Sequence, residues 1–189
     1  MAIRKVVRMG HPILRQTARD LTQEEIQSPW FKALIQDMIE TMHDYGGIGL
    51  AAPQIAESVQ VAIIDYSDEE DSKSTAVPFT IVVNPKVKFL TDESQKFWEG
   101  CLSVPDLRGL VERPKKIQVD YLDIKGKPQS IVVEGFTATV FQHELDHLQG
   151  VLYVDRVKTE PGKTSLAFTE EYQRYLAPKL EHDVGELEE

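Results

Sequence analysis

Residues 135–150 read GFTATVFQHELDHLQG, an apolar helical repeat interrupted by four ionisable side chains. Phe136, Val140, Phe141, Glu144, Leu145 and Leu148 fall at helical spacing, and Gly150 ends the run. His143 and His147 stand four apart, so on a helix they share one face with Cβ atoms about 5–6 Å apart, close enough to hold one metal ion. Imidazoles suit zinc, iron, cobalt or nickel. Glu144 would lie beside that ion, where it can take a proton from the water the ion activates. The pattern is short, and two histidines on a solvated helix face are the bland alternative.

Upstream of this helix the chain is β-rich. Residues 59–65, 79–90, 96–103, 116–122 and 129–133 are short runs rich in Val, Ile and Phe, and Lys125-Gly126-Lys127 offers a hairpin turn between the last two. Before them, residues 23–45 carry Ile26, Phe31, Leu34, Ile35, Met38, Ile39 and Met42 at three- and four-residue steps, an amphipathic helix. Thr22 with Glu25 forms a capping box at its start, Pro29 argues for a break, and Gly46-Gly47 stops it. After a polar link at 158–163, residues 165–176 predict a last helix. Strands in series with helices outside them give an α+β fold, with antiparallel or mixed sheets packed around the HELDH helix between N- and C-terminal helices. The expected organisation is one domain over 1–176 and an acidic, disordered tail over 177–189.

Of 189 residues, 41% are hydrophobic and 28% charged, ordinary for a globular protein, and the net charge is −10. Asp68, Glu69, Glu70 and Asp71, with Glu181, Asp183, Glu186, Glu188 and Glu189, supply most of that imbalance from an expected loop and tail. Direct DNA binding needs clustered Lys and Arg and is disfavoured. No apolar run approaches the roughly 20 residues that span a bilayer, and the start lacks the apolar core of a secretory signal. The single cysteine, Cys101, forms no internal disulfide, which points to a reducing compartment. A cytoplasmic home is expected, bacterial or organellar.

A hydrolytic metal site needs a third protein ligand and one open position. Downstream candidates are poor: Tyr153 stands where the longer metzincin pattern needs a histidine, and His182 lies in the acidic tail. Upstream, Cys101 follows Gly100 in the run EGCLS at 99–103, and a thiolate there would complete a Cys-His-His site. Alone, Cys101 reads better as a small buried hydrophobe. Residues 47–54, GIGLAAPQ, bring two glycines and two alanines around Gln54, whose amide N–H groups could meet a developing oxyanion. Alone, that stretch reads as a tight turn.

These three segments, in this order, resemble the three signature motifs of the peptide deformylases, and the resemblance extends from about residue 4 to about residue 156. It implies one divalent ion on Cys101, His143 and His147, usually ferrous iron, with zinc, nickel or cobalt as alternatives. It implies removal of the N-formyl group from the initiator methionine of new polypeptides, with Glu144 moving the proton and with Gln54 and the backbone N–H of Leu102 facing the oxyanion. It implies an apolar methionine slot walled by Ile48, Phe97, Phe136, Val140 and part of His143, beside Gly49, with Glu99 and Arg108 near its mouth. A surface ion pair is the alternative reading of Glu99 and Arg108. Asp146 is expected either to steady a ligand histidine or to face solvent. The expected partners are N-formylmethionyl nascent peptides, with transient ribosome contact and no membrane. An amidase or deacylase with another substrate, and a non-catalytic metal-binding module, are the competing readings.

Overall fold

The computed structural model describes residues 2–66 and 75–177. The acidic cluster at 68–71, and the expected tail apart from Ala177, lie outside the described residues.

The helical repeat at 23–45 folds as two helices because Pro29 has no N–H to continue the first one. In α1 (Gln23–Ile26) the Thr22 hydroxyl accepts from the Glu25 N–H at 3.2 Å and the Glu25 carboxylate accepts from the Thr22 N–H at 2.9 Å. Ser28 then caps α2 (Pro29–Asp44), its hydroxyl accepting from the Phe31 N–H at 3.1 Å, with proline at the first helical position.

Five strands form one sheet: β1 (Gly49–Ala51), β2 (Val61–Ile64), β3 (Thr80–Phe89), β6 (Lys116–Leu122) and β7 (Pro128–Glu134), in the order β1-β2-β3-β6-β7. A second sheet of β4 (Ser94–Cys101), β5 (Val104–Pro114) and β8 (Leu166–Phe168) runs β4-β5-β8. Every strand pair among the described residues is antiparallel, and an isolated bridge between Arg19 and Val59 is the parallel exception. β2 shows why the middle of the chain reads as continuous apolar runs: it is buried on both faces. Val61 and Ile63 pack with Phe31, Leu34, Met38 and Met42 of α2, while Ala62 and Ile64 pack with Ala138, Phe141, Leu145 and Leu148 of α3 (Phe136–Leu148). α3 touches β1, β2 and β7 of the first sheet and β5 of the second, so it lies between the two sheets.

One expectation needs correction, and one strand was not foreseen. Residues 165–176 open as β8, paired to β5, before the short α4 (Thr169–Glu171) and a π-helical turn at Tyr172–Leu176. The apolar spacing there is shared by a strand whose alternate residues face solvent. β5 went unread in the sequence because its inward positions are Gly109, Val111 and Arg113, and an alternation filled by glycine and arginine carries no apolar signal. Gly109 has to be glycine for close packing, since a Cβ there would stand 2.6 Å from Val157 and 2.8 Å from the Tyr153 ring.

Candidate active site

The β4–β5 hairpin turns through only Leu102 and Ser103, since Cys101 pairs with Val104. The register shift between Glu99 and Cys101 sets Gly100 alone against residues 105–108 of β5, and such irregularities re-aim neighbouring side chains. Here Cys101 is aimed at α3. Its Sγ lies 3.3 Å from His147 Nε2, and one ligand atom from each of Cys101, His143 and His147 falls within 4.8 Å of the others. Sulfur and nitrogen bound to one tetrahedral ion, at about 2.3 and 2.1 Å, stand roughly 3.6 Å apart, so the Cys101–His147 pair is near the spacing an ion sets and the three donors together could hold one.

His143 is fixed from behind. Its Nδ1 lies 2.7 Å from Glu99 Oε2, which leaves Nε2 for an ion. Glu99 also receives Arg113 in a two-point bridge, Nε to Oε1 at 2.5 Å and Nη2 to Oε2 at 2.9 Å. Burial alone would raise the Glu99 pKa, but Arg113 and His143 outweigh it and hold it below the usual range. Arg113 reaches on to Asp146 at 2.8 Å, and Arg156 holds both Asp146 oxygens at 2.5 Å. This corrects two expectations. Glu99 is not a surface partner of Arg108 but is 5% exposed behind His143, and Asp146 serves two arginines rather than a histidine. Arg113, the residue that organises this network, was missed because a charge among β5 residues reads as a solvated face.

Glu144 is buried, and its Oε2 has no hydrogen-bond partner. Burial pushes its carboxyl up to about 7. The carboxylate fits only because position 49 is glycine, since a Cβ there would lie 2.5 Å from Glu144 Oε1. Burial also holds His147 well below its ordinary value, reinforced by His143 and Arg113; at His143, Cys101 and Glu99 outweigh burial and raise it. Gln54 is anchored by the Ala51 N–H donating to its Oε1 at 2.8 Å, and its Nε2 donates to Ser103 Oγ at 3.3 Å and to Cys101 Sγ at 3.5 Å. That amide therefore points across the same small space.

A cleft of about 1360 Å³ opens over these groups. Ile48, Gly49, Leu102, Phe136, Val140 and Arg108 line it. Phe97 does not line it but backs Phe136 edge-on, ring centroids 5.0 Å apart. Arg108 lies across Gly100, whose Cβ would collide with its guanidinium at 2.1 Å. β1 is an edge strand, and Ile48 O accepts from the Asp65 N–H at 2.8 Å. Antiparallel alternation then turns Ile48 and Leu50 toward β2 and the Gly49 backbone away from it. Lys5, Arg8, His11 and Thr139 also line the cleft and were not read from the sequence, since no motif marks them.

Comparison with known proteins gives concordant results. Residues 3–162 match the family described as polypeptide deformylase. A peptide deformylase of Leptospira biflexa serovar Patoc is 47% identical over 161 residues, covering 84% of this chain and 90% of that relative. A class I type b peptide deformylase from Acinetobacter baumannii, solved with Met-Ala-Ser bound, superposes with a TM-score of 0.77 at 36% identity, covering 82% of this chain and 99% of that one. The actinonin-bound form of that enzyme gives 0.74 at 35%, covering 84% and 100%.

Proposed function

This chain belongs to the peptide deformylase family, and from that premise we infer that it is a metal-dependent hydrolase that removes the N-formyl group from the initiator N-formylmethionine of nascent polypeptides, releasing formate. The observation that carries the reading is the meeting of Cys101, His143 and His147 beside a buried Glu144 carboxylate with an unsatisfied oxygen.

Cys101, His143 and His147 would hold the ion, ferrous iron in the cell with zinc, nickel or cobalt as substitutes. When bound it supplies Lewis acidity, drawing charge onto the formyl oxygen and making water easier to deprotonate. Glu144 takes the proton of the attacking water and returns it to the nitrogen as the carbon–nitrogen bond breaks, leaving formate and a free amine. Its pKa of about 7 suits a group that must both accept and donate near neutrality. The Gln54 amide and the Leu102 N–H meet the charge developing on the formyl oxygen, and losing one such donor costs about 10² to 10³ in rate. Ile48, Phe136 and Val140 form the methionine slot, with Phe97 stiffening it from behind Phe136. The Gly49 backbone, free of β2, pairs with the extended substrate. Arg108 stands at the mouth, while Glu99 acts through His143 as a positioning residue.

Residues 1–176 act as one catalytic unit in this reading. Its setting is the cytoplasm, bacterial or organellar, with transient ribosome contact and no membrane or DNA partner; among the described residues no helix is long and apolar enough to cross a membrane. The test is formate release from formyl-Met-Ala by anaerobically purified protein of measured metal content, with acetyl-Met-Ala as control. Release from the formyl peptide alone, abolished by a chelator, is expected. Equal hydrolysis of the acetyl peptide, or none of either by metal-loaded protein, would overturn the reading.

A further inference from the structure

Besides the groups described above, the cleft is lined by cations that hold no carboxylate in a salt bridge among the described residues. Five of the arginines, Arg4, Arg15, Arg19, Arg113 and Arg156, each hold an Asp or Glu in a salt bridge. A sixth, Arg174, lies over the Tyr175 ring. Arg8 and Arg108 are the other two among the described residues, both line the cleft, and neither pairs with a carboxylate there; Lys5 beside them is unpaired as well. In a chain of net charge −10, such a trio is not the remnant of a generally basic surface.

The anionic groups lining the same cleft are accounted for. Glu99 is buried and held by Arg113 and His143. Glu144 faces the reacting end beneath Gly49. Asp106 is the remaining carboxylate, exposed on β5, and His11 uses its Nδ1 to accept the Ile13 N–H at 3.3 Å. Three cations therefore stand against one carboxylate among the cleft-lining charges not already engaged. They come from separate parts of the chain that the fold brings together: Val7 N–H donates to Gln54 O at 2.8 Å and Met9 N–H to Ser103 O at 2.7 Å, which ties the Lys5–Arg8 segment to two motifs of the site.

Resting on the deformylase reading above, we propose that Lys5, Arg8 and Arg108 select formylated peptides carrying an acidic side chain in the residues just after formyl-methionine. The slot around Ile48 and Val140 is apolar and reads the methionine; the cations lie outside it, where the following side chains emerge. Rim charges of this kind act on encounter and binding more than on the chemical step. The selectivity therefore belongs in KM rather than kcat, and it weakens with salt as the field is screened over about 10 Å at 0.1 M.

The experiment compares C-terminally amidated formyl-Met-Xaa-Ala and formyl-Met-Ala-Xaa, with Xaa as Glu, Gln or Lys, on the metal-loaded enzyme. In at least one series kcat/KM should follow Glu, then Gln, then Lys, with about fivefold per step, the ratio one close charge pair in water supplies. The spread should shrink at about 0.5 M salt. In Arg8→Glu the Glu-to-Lys ratio should fall to one or invert, read alongside a thermal melt that reports folding. Equal rates for all three side chains in both series, or Lys ahead of Glu, would overturn the selection while leaving the deformylase reading intact. No formate from any peptide, the neutral Gln ones included, would overturn both.

Discussion

Glu144 occupies an environment that is costly for a carboxylate, and that cost is what equips it to move a proton. Its pKa rises from 4.5 unfolded to about 7 folded because the site excludes water. Between those two values the folded state binds more protons than the unfolded one, so this group makes stability fall as pH rises through the window. Glutamine does not titrate. In the metal-free protein Glu144→Gln should therefore melt higher than wild type at pH 8, with the gap closing toward pH 4.5. The same variant, reloaded with metal and assayed for formate, should lose about 10² to 10⁴ in kcat with its metal content unchanged. Variants with wild-type turnover, or a stability gap that is flat with pH, would refute the role. Arg113 makes the complementary case. Its side chain is 3% exposed, and Arg113→Met would leave Glu99 and Asp146 without their buried partner. About 3–5 kcal/mol of stability should go, measured by denaturant unfolding, and metal affinity should drop about 10- to 100-fold as His143 loses its support. Glu99→Gln in the same chain should restore part of the stability, since it removes the stranded charge. His143, His147 and Glu144 stood out in the sequence as candidates because one helix fixes their spacing, and Cys101 joined them only through the motif resemblance. Arg113 could not, because its role depends on β5 lying beside β4, a pairing that no local pattern announces.

The elements show the same division between local and distant causes. The two helices at 23–44 were legible because capping and proline rules act within a few residues. Ser28 is a sharp instance: its hydroxyl accepts from Phe31 N–H and donates to Glu25 O at 2.7 Å, joining the end of α1 to the start of α2. Ser28→Ala should cost about 1 kcal/mol by denaturant unfolding, while Ser28→Asp, which keeps an acceptor at the cap, should cost less. Equal losses would mean that the donated bond, not the cap, holds the junction. β1 and β8 escaped the sequence reading for the opposite reason. Each has only three residues, and each is a strand because a partner, β2 or β5, lies beside it. A three-residue run cannot show a period of two, so nothing in Gly49–Ala51 distinguishes an edge strand from a turn. Yet β1 matters to function, since its glycine makes room for Glu144 and offers the unpaired backbone.

At the scale of the molecule, the candidate ligands join bodies that otherwise meet through packing and through the Glu99–His143 and Arg113–Asp146 contacts. Cys101 ends β4 in the three-stranded sheet, whereas His143 and His147 sit on α3, whose apolar side is packed into the five-stranded sheet. An ion shared by the three would bind the folded chain and not the unfolded one. At free metal about a thousandfold above Kd this adds about 4 kcal/mol. For a chain of this size each kcal/mol moves the melting temperature by about 2–4 °C, so removing the ion should lower it by roughly 8–16 °C. Where the loss appears is more telling than its size. Hydrogen exchange on chelator-treated protein should show amides of the β4–β5 hairpin around Cys101 losing protection first, while α2, held by Phe31, Leu34, Met38 and Met42 against the far face of β2, keeps its own. Uniform loss across both sheets would mean that the chain unfolds as one unit and that the ion stabilises it globally. Loss confined to the hairpin would make the metal the clasp between the second sheet and the helix that carries the chemistry, and oxidation of the ion or of Cys101 would then inactivate the enzyme by opening its site rather than by unfolding it.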